Sequence, residues 1–463
     1  MLDFFLRRDI IIGMEHLKNR RLTSAQTIIL GYAAAILLGS ILLSLPIATR
    51  SRESTPFLDA LFTSTSAVCV TGLIVRDTAT YFSLFGKLTI ITLIQAGGVG
   101  VVTLAVTVAV AAGKKLRLSG QNTMLESVSA EEGKGAWRYA RFILLFSLAV
   151  ETIGALLLMP AFCSRFGARG LWYAVFHSVS AYCNAGFDLM GAETGRFSSL
   201  TAFVGSPLVN FTICGLILSG GLGFSVWGDI GRNKFRLKKY SVQSKAVLLF
   251  GALLVFIPSL YFYFAEFSSA AWKAELSGGE RALASFFQTV TPRTAGFNTV
   301  DYSKMSEASL LVTIALMLIG GASGSTAGGM KITTMAVLFC AAIAAVRKRR
   351  EVRCFGRRIS SDTVKDAATI AFLYITLFFA GSVAISSIEK LPVVDCMFET
   401  ASAIATVGLT TGITAGLSAA SHIILIALMY FGRVGGLTLF TAVAFGGRSG
   451  DDGSLPLGTI AVG

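Results

Sequence analysis

Eight apolar runs, each long enough to cross a bilayer as a helix, recur along the 463-residue chain at 25–47, 84–112, 138–161, 200–228, 243–265, 309–346, 366–388 and 419–446. A crossing needs ~20 helical residues. The chain is 54% hydrophobic and 14% charged, with a mean hydropathy of +0.70. A soluble domain would fill its core long before hiding that much apolar surface, and lipid removes the conflict. Between successive pairs of runs lie shorter apolar stretches near 57–67, 171–182, 282–291 and 394–405. These are too short to span and read as re-entrant half-helices.

Charge sets the orientation. Segments 1–24, 113–141, 229–245, 347–366 and 447–463 hold 26 Lys/Arg against 12 Asp/Glu, whereas the opposite loops and half-helices hold 11 against 13. The bias sits in short tracts such as Arg232–Lys239 and Arg347–Arg350. It is a positive-inside signal, with both termini cytoplasmic. The net charge of +14 is therefore mostly topology, and the tracts lie where helix-end anchors belong, not in a nucleic-acid patch. The basic first 24 residues read as an interfacial helix and not as a cleavable signal. The seven cysteines form no CxxC or Cys/His cluster, and His16, His177 and His422 are widely spaced, which argues against a transition-metal site.

The half-helices end in related loops. Cys69-Val70-Thr71-Gly72, Cys183-Asn184-Ala185-Gly186, Arg293-Thr294-Ala295-Gly296 and Ala405-Thr406-Val407-Gly408 are each followed by a bulky apolar residue. Their glycines lie 114, 110 and 112 residues apart. Three half-helices carry a small pair before the loop: Ser66-Ala67, Ser180-Ala181 and Ser402-Ala403. A second glycine signature falls in each following span, at Gly97-Gly98-Val99-Gly100, Gly220-Gly221-Leu222-Gly223, Gly320-Gly321-Ala322-Ser323-Gly324 and Val434-Gly435-Gly436-Leu437. Two motifs recurring four times in register mark an internal repeat.

A unit with two full crossings returns the chain to its starting side. All four units therefore share one orientation, unlike the inverted repeats of many secondary transporters. The expected fold is an all-α integral membrane protein with eight full transmembrane helices. Four parallel helix–half-helix–filter–helix repeats, at 25–112, 138–228, 243–346 and 366–446, surround one pseudo-fourfold pore. Cytoplasmic linkers lie at 113–137, 229–242 and 347–365, and the tail at 447–463. A half-helix entering from outside points its partially negative carboxyl end at the axis, which favours a cation. Glycine lets the following backbone take positive φ, and four loops can supply rings of carbonyl oxygens that replace an ion's water shell. Asp77, Asp188 and Asp301 follow loops one to three. They either concentrate cations at the outer mouth or simply mark the membrane boundary.

The third unit differs. Five glycines fall within Gly320–Lys331, too many for a uniform helix. A flexible loop inside a span, below a filter, suits a gate, with Gly320, Gly321, Gly324, Ser325, Thr326, Gly328, Gly329 and Lys331 as its key residues. Lys331 and Arg433 are cations within spans, and such groups are functional candidates by default. Arg433 facing the pore would be an electrostatic barrier or a tether for the loop. Glu151, the one acid placed within a span, would snorkel or pair.

These loops, the Gly324-Ser325-Thr326-Ala327-Gly328-Gly329-Met330-Lys331 tract and Gly432-Arg433-Val434-Gly435 resemble the Trk/Ktr/HKT superfamily of potassium transporters over nearly the whole chain. The resemblance implies that each repeat contributes one filter strand, that Gly320–Lys331 is the gate and that Arg433 is the pore arginine. A serine at the first filter glycine goes with sodium transport in plant relatives. Gly72 therefore implies K+, with Na+ kept as a second ion and no organic cofactor on this chain. The short segment before the first repeat is closest to the bacterial Ktr-type membrane subunit. That implies a homodimer in the cell membrane, resting on a cytosolic ring of nucleotide-binding regulatory subunits. Gly436, where the family often carries proline, departs from the pattern. A coupled secondary transporter of another solute is the alternative, but it usually needs intramembrane carboxylates. Gly97–Gly100 and Gly328–Lys331 are only faintly like nucleotide loops, and no nucleophile–base pair is evident, so an enzyme is not expected.

Overall fold

The computed structural model describes residues 23–104, 136–234 and 236–435. The N-terminal interfacial segment up to residue 22, most of the 113–137 linker and the tail lie outside the described residues. Each repeat opens with a long apolar helix: α1 (Ser24–Ser44), α4 (Ala136–Phe166), α8 (Val242–Tyr261, continued by a π-helical turn at Phe262–Glu266) and α12 (Ser361–Glu389). Among the described residues these are the four helices long and apolar enough to cross a membrane unaided. The half-helices follow as α2 (Phe57–Val68), α5 (Arg169–Tyr182), α9 (Gly278–Val290) and α13 (Val393–Ile404), close to their expected bounds. Acids in the first turns of α2, α9 and α13 (Asp59, Glu280, Asp395) suit the positive ends of those helices.

The second helices of repeats one, two and four correct the expectation of unbroken spans, whereas the break in repeat three falls where the glycines place it. α3 (Leu84–Val99) stops at Gly100, at φ +97°. α6 (Pro207–Gly221) bends by 95° at Gly223 into α7 (Phe224–Asn233). α10 (Glu307–Met317) and α11 (Ile332–Val346) flank the glycine-rich loop, and α14 (Ala419–Val434) stops at Gly435, at φ +94°. Hydropathy is blind to these left-handed glycines, and they divide runs that look continuous. The stretches 105–112 and 436–446 lie outside the described residues. The all-α expectation is also corrected by a small hairpin, β1 (Arg353–Cys354) and β2 (Arg357–Arg358), turned by left-handed Phe355 and Gly356.

Small residues seat the half-helices of repeats one, two and four against their own repeats. Ser64 and Ser178 donate to the Ile36 and Glu151 carbonyls at 2.7 and 2.6 Å, and the Thr400 and Ser382 hydroxyls share a 2.6 Å bond. Gly39, Gly154 and Gly381 give the room, as expected for close helix contact in lipid. Between repeats the order is cyclic. α3 packs on α5, α6 on α9, α10 on α13, and α14 on α2, which joins the last repeat to the first. Tyr430 on α14 ties the same seam by donating to the Ile29 carbonyl at 2.7 Å.

Candidate functional site: the glycine ring and the intramembrane loop

The four loop glycines meet. A Cβ on Gly72 would lie 2.5 Å from the Ala185 carbonyl oxygen, one on Gly186 2.7 Å from that of Ala295, and one on Gly296 2.6 Å from that of Val407. A Cβ on Gly408 would overlap the Thr71 carbonyl oxygen. Each glycine therefore abuts the residue before the glycine of the next repeat, and the series closes on itself. All four are left-handed, with φ of +97°, +68°, +82° and +92°.

Two residues earlier, Val70, Asn184, Thr294 and Thr406 are left-handed too, at φ +57°, +60°, +68° and +52°. β-branched residues resist that region, and holding each one there costs about 1–3 kcal/mol. Surrounding structure supplies the constraint. The Ala67, Ala181 and Ala403 carbonyls accept from Val70, Asn184 and Thr406 at 3.2, 3.1 and 3.1 Å. The Ser66 and Ser402 hydroxyls accept the Gly72 and Gly408 amides, both at 3.0 Å. The small pairs noted in the sequence thus brace loops one and four, whereas loop three has Val290 in that place.

Among the described residues, Thr71 Oγ1, Asn184 Oδ1 and Thr406 Oγ1 are buried beside the ring without a hydrogen-bond partner. Arg293 contributes backbone to its loop, where its carbonyl accepts from Asn184 Nδ2 at 3.2 Å. Its guanidinium turns away and donates to the Gly251 carbonyl at 3.0 Å. Glu399 counts among the outer acids in the sequence. It is fully buried on α13 and holds the chain beyond loop four, accepting from Thr410, Thr414 and the Thr411 amide. A second acid one turn past Asp395, deeper in the half-helix, is the signal that could have found it. Glu151 pairs with Cys183, whose Sγ is 3.9 Å away, and that thiol also lies 3.5 Å from Gln95 Oε1.

The outer aspartates cap local structure. Asp77 accepts from Thr80 N at 2.8 Å and Phe197 N at 3.0 Å, Asp188 from Met190 N at 2.8 Å, and Asp301 from Ser303 N at 2.9 Å. Burial pushes the Asp188 carboxyl up to about 7, against the opposing Met190 N–H and with further help from Asp77.

The Gly320–Lys331 loop leaves helix geometry as expected and closes on itself. Gly320 N donates to Met330 O at 2.8 Å, and Ile332 N to Gly321 O at 3.0 Å. One side is pinned to repeat two: Ala322 N and Thr326 N donate to Gly221 O and Gly220 O at 2.9 and 3.2 Å, and Phe224 N donates to Gly324 O at 2.9 Å. On the other side Gly329 N donates to Gly432 O at 3.2 Å. Ser325 Oγ donates to Ala322 O at 2.6 Å, and Lys331 Nζ to Ala327 O at 2.6 Å. Arg433 reaches two elements at once, the Thr326 carbonyl of the loop and the Gly97 carbonyl where α3 ends. A cavity of about 270 Å³ lies here, with Gly98, Phe224, Gly328's neighbour Gly329, Lys331 and Arg433 in its wall.

The fourth glycine signature needs a new register. A Cβ on Gly97, Gly220 or Gly432 would overlap the carbonyl ending its own half-helix, Val68, Tyr182 or Ile404. Gly432, not Gly435, is therefore the counterpart of Gly97 and Gly220, and Arg433 occupies the place of Gly98 and Gly221.

The sequence pattern of the TrkH family, described as cation transport proteins, matches residues 14–447. The chain belongs to the TrkH cation transport family. This is a family of transporters, not of enzymes, and the chain is a multi-pass membrane protein. It is 39% identical over 426 residues to the potassium/sodium uptake protein NtpJ of Enterococcus hirae, covering 91% of this chain and 93% of that protein. It is 37% identical over 425 residues to the Ktr system potassium uptake protein B of Bacillus subtilis, covering 92% and 94%. The crystal structure of the potassium transporter TrkH from Vibrio parahaemolyticus superposes with a TM-score of 0.70 at 19% identity, covering 91% of this chain and 85% of that one, a likeness of fold.

Proposed function

We propose that this protein takes up K+ across the bacterial cell membrane through the glycine ring, with Na+ as the competing ion. The observation that carries the reading is the cyclic closure of Gly72, Gly186, Gly296 and Gly408. Alternating left- and right-handed residues turn successive peptide planes the same way, so that carbonyls of 69–72, 183–186, 293–296 and 405–408 face one passage and replace water around the ion. Names of the similar proteins point to the same ions.

In this reading each repeat makes two crossings, the broken second helices included, for eight in all. The Gly320–Lys331 loop gates the path from below, and Arg433 holds it. The chain works as a homodimer on a cytosolic nucleotide-binding ring, with both termini inside. The test is growth on low potassium of cells lacking potassium uptake, with Gly72→Ser and Gly296→Ser beside the parent. The parent rescues growth, and both changes weaken rescue or admit sodium. Absence of rescue even with a regulatory partner, or rescue indifferent to both substitutions, refutes the reading.

Asp188 gives a pH dependence. With burial pushing its carboxyl up to about 7, it should ionise as external pH rises through that value and add a negative charge on the outer side of loop two. The apparent KM for K+ should then fall by roughly threefold between about pH 6 and 8, the order that one charge within ~10 Å produces at intermediate dielectric. Asp188→Asn should flatten the profile in rubidium uptake. A folded value above the unfolded one also means that the stabilisation is complete below about pH 4 and is lost as pH climbs to about 7.

A further inference from the structure

Beside the gate, at the end of repeat two assigned to the cytoplasm, lies a cavity of about 550 Å³ between the start of α4 and α7. Arg138 and Arg232 stand in its wall, with Tyr139, Phe142 and Trp227. Among the described residues neither guanidinium has a hydrogen-bond partner. Asp229, the one acid among the described lining residues, is near enough to Arg232 to interact with its charge, and its carboxylate is also engaged by Ser244 Oγ at 2.6 Å and Ser241 N at 3.1 Å, which leaves the two arginines in excess. Gly228 and Gly231 pave the α7 side, and a Cβ on either would meet nothing within 4 Å. Aromatic rings beside arginines at the inner boundary of a bilayer match the depth of lipid headgroups and the chemistry of anionic ones.

The cavity also touches the gate mechanically. Trp227 Nε1 donates to Ser219 O at 2.9 Å across the 95° bend, and its ring lies 5.0 Å from that of Phe146 on α4. Phe224 lines this cavity and the one above Lys331, and its amide holds Gly324 of the loop. Pressure on α7 therefore acts directly on the loop.

We propose that this pocket binds an anionic phospholipid of the inner leaflet, its phosphate between Arg138 and Arg232, and that occupancy steadies α7 and through it the loop. The binding half stands without the transport reading, and the effect on flux rests on it. The test titrates the purified full chain with phosphatidylglycerol or phosphatidylcholine under native mass spectrometry. Rubidium flux is then followed in phosphatidylcholine vesicles with and without phosphatidylglycerol. The parent should retain one phosphatidylglycerol that the Arg138→Gln/Arg232→Gln protein binds at least about tenfold more weakly. Gly231→Leu, which fills open space without disturbing packing, should lose the same adduct. Phosphatidylglycerol should change flux in the parent and not in the variants. Equal retention of phosphatidylcholine, or adducts unchanged by either variant, as a protein segment seated in the pocket would give, overturns the proposal. Loss of the adduct in the variants with no flux in any vesicle would instead sink the transport reading and leave the site standing.

Discussion

Gly408→Ala should abolish rubidium uptake and lower the stability of the purified protein by several kcal/mol, whereas Gly412→Ala, four residues on, should leave uptake intact. Both glycines are left-handed, at φ +92° and +100°, so alanine meets a similar backbone penalty of ~1–2 kcal/mol at each. They differ in surroundings. A Cβ at 412 meets nothing within 4 Å, whereas one at 408 overlaps the Thr71 carbonyl oxygen and comes 2.9 Å from the Gly72 Cα. Those neighbours are backbone and cannot rotate away. Overpacking in a well-filled site costs a further ~1–3 kcal/mol, and relief requires loops four and one to separate. Thermal unfolding in detergent and rubidium uptake in cells measure both quantities. Equal losses for the two variants would show that the ring does not close tightly at this seam.

Arg433→Gln should release the loop. The guanidinium donates to Thr326 O and Gly97 O, and hydrogen bonds from a charged donor are worth about 1.5–3 kcal/mol each. The loop keeps its contacts with Gly220, Gly221 and Gly432, so it loosens without leaving. Losing one such bond from the closed state alone shifts the balance by about tenfold or more. Rubidium flux into vesicles lacking any cytosolic partner should rise by that order, and Arg433→Lys, which reaches one acceptor at a time, should fall between. Flux unchanged or reduced in a folded Arg433→Gln protein would remove the arginine from the gate.

Much of this layout is legible in the residues. Half-helix bounds emerge because a dozen apolar residues between spans have few other uses, and the ring glycines because they recur at nearly constant spacing. The third-repeat loop is visible because five glycines defeat a helix. Other features leave no hydropathic trace. The breaks at Gly100, Gly223 and Gly435 sit inside apolar runs, where one left-handed φ changes direction without changing composition. Val70, Thr294 and Thr406 are β-branched residues whose own preference is for extended backbone, and their left-handed φ is held by the surrounding packing. The fourth signature is misread by three residues because arginine replaces the second glycine, so the eye settles on Gly435-Gly436. Glu399 hides among outer acids because its depth depends on the loop it braces.

Covalent linkage of the four quarters has a consequence for how the proposed pore can change. In an assembly of identical subunits, any substitution strikes every wall at once, so a cation like Arg433 would appear four times and its mutual repulsion would crowd the axis. Here a mutation touches one wall. Three quarters can remain scaffold while the fourth acquires a hinge, and the moving part can evolve without renegotiating the passage it controls.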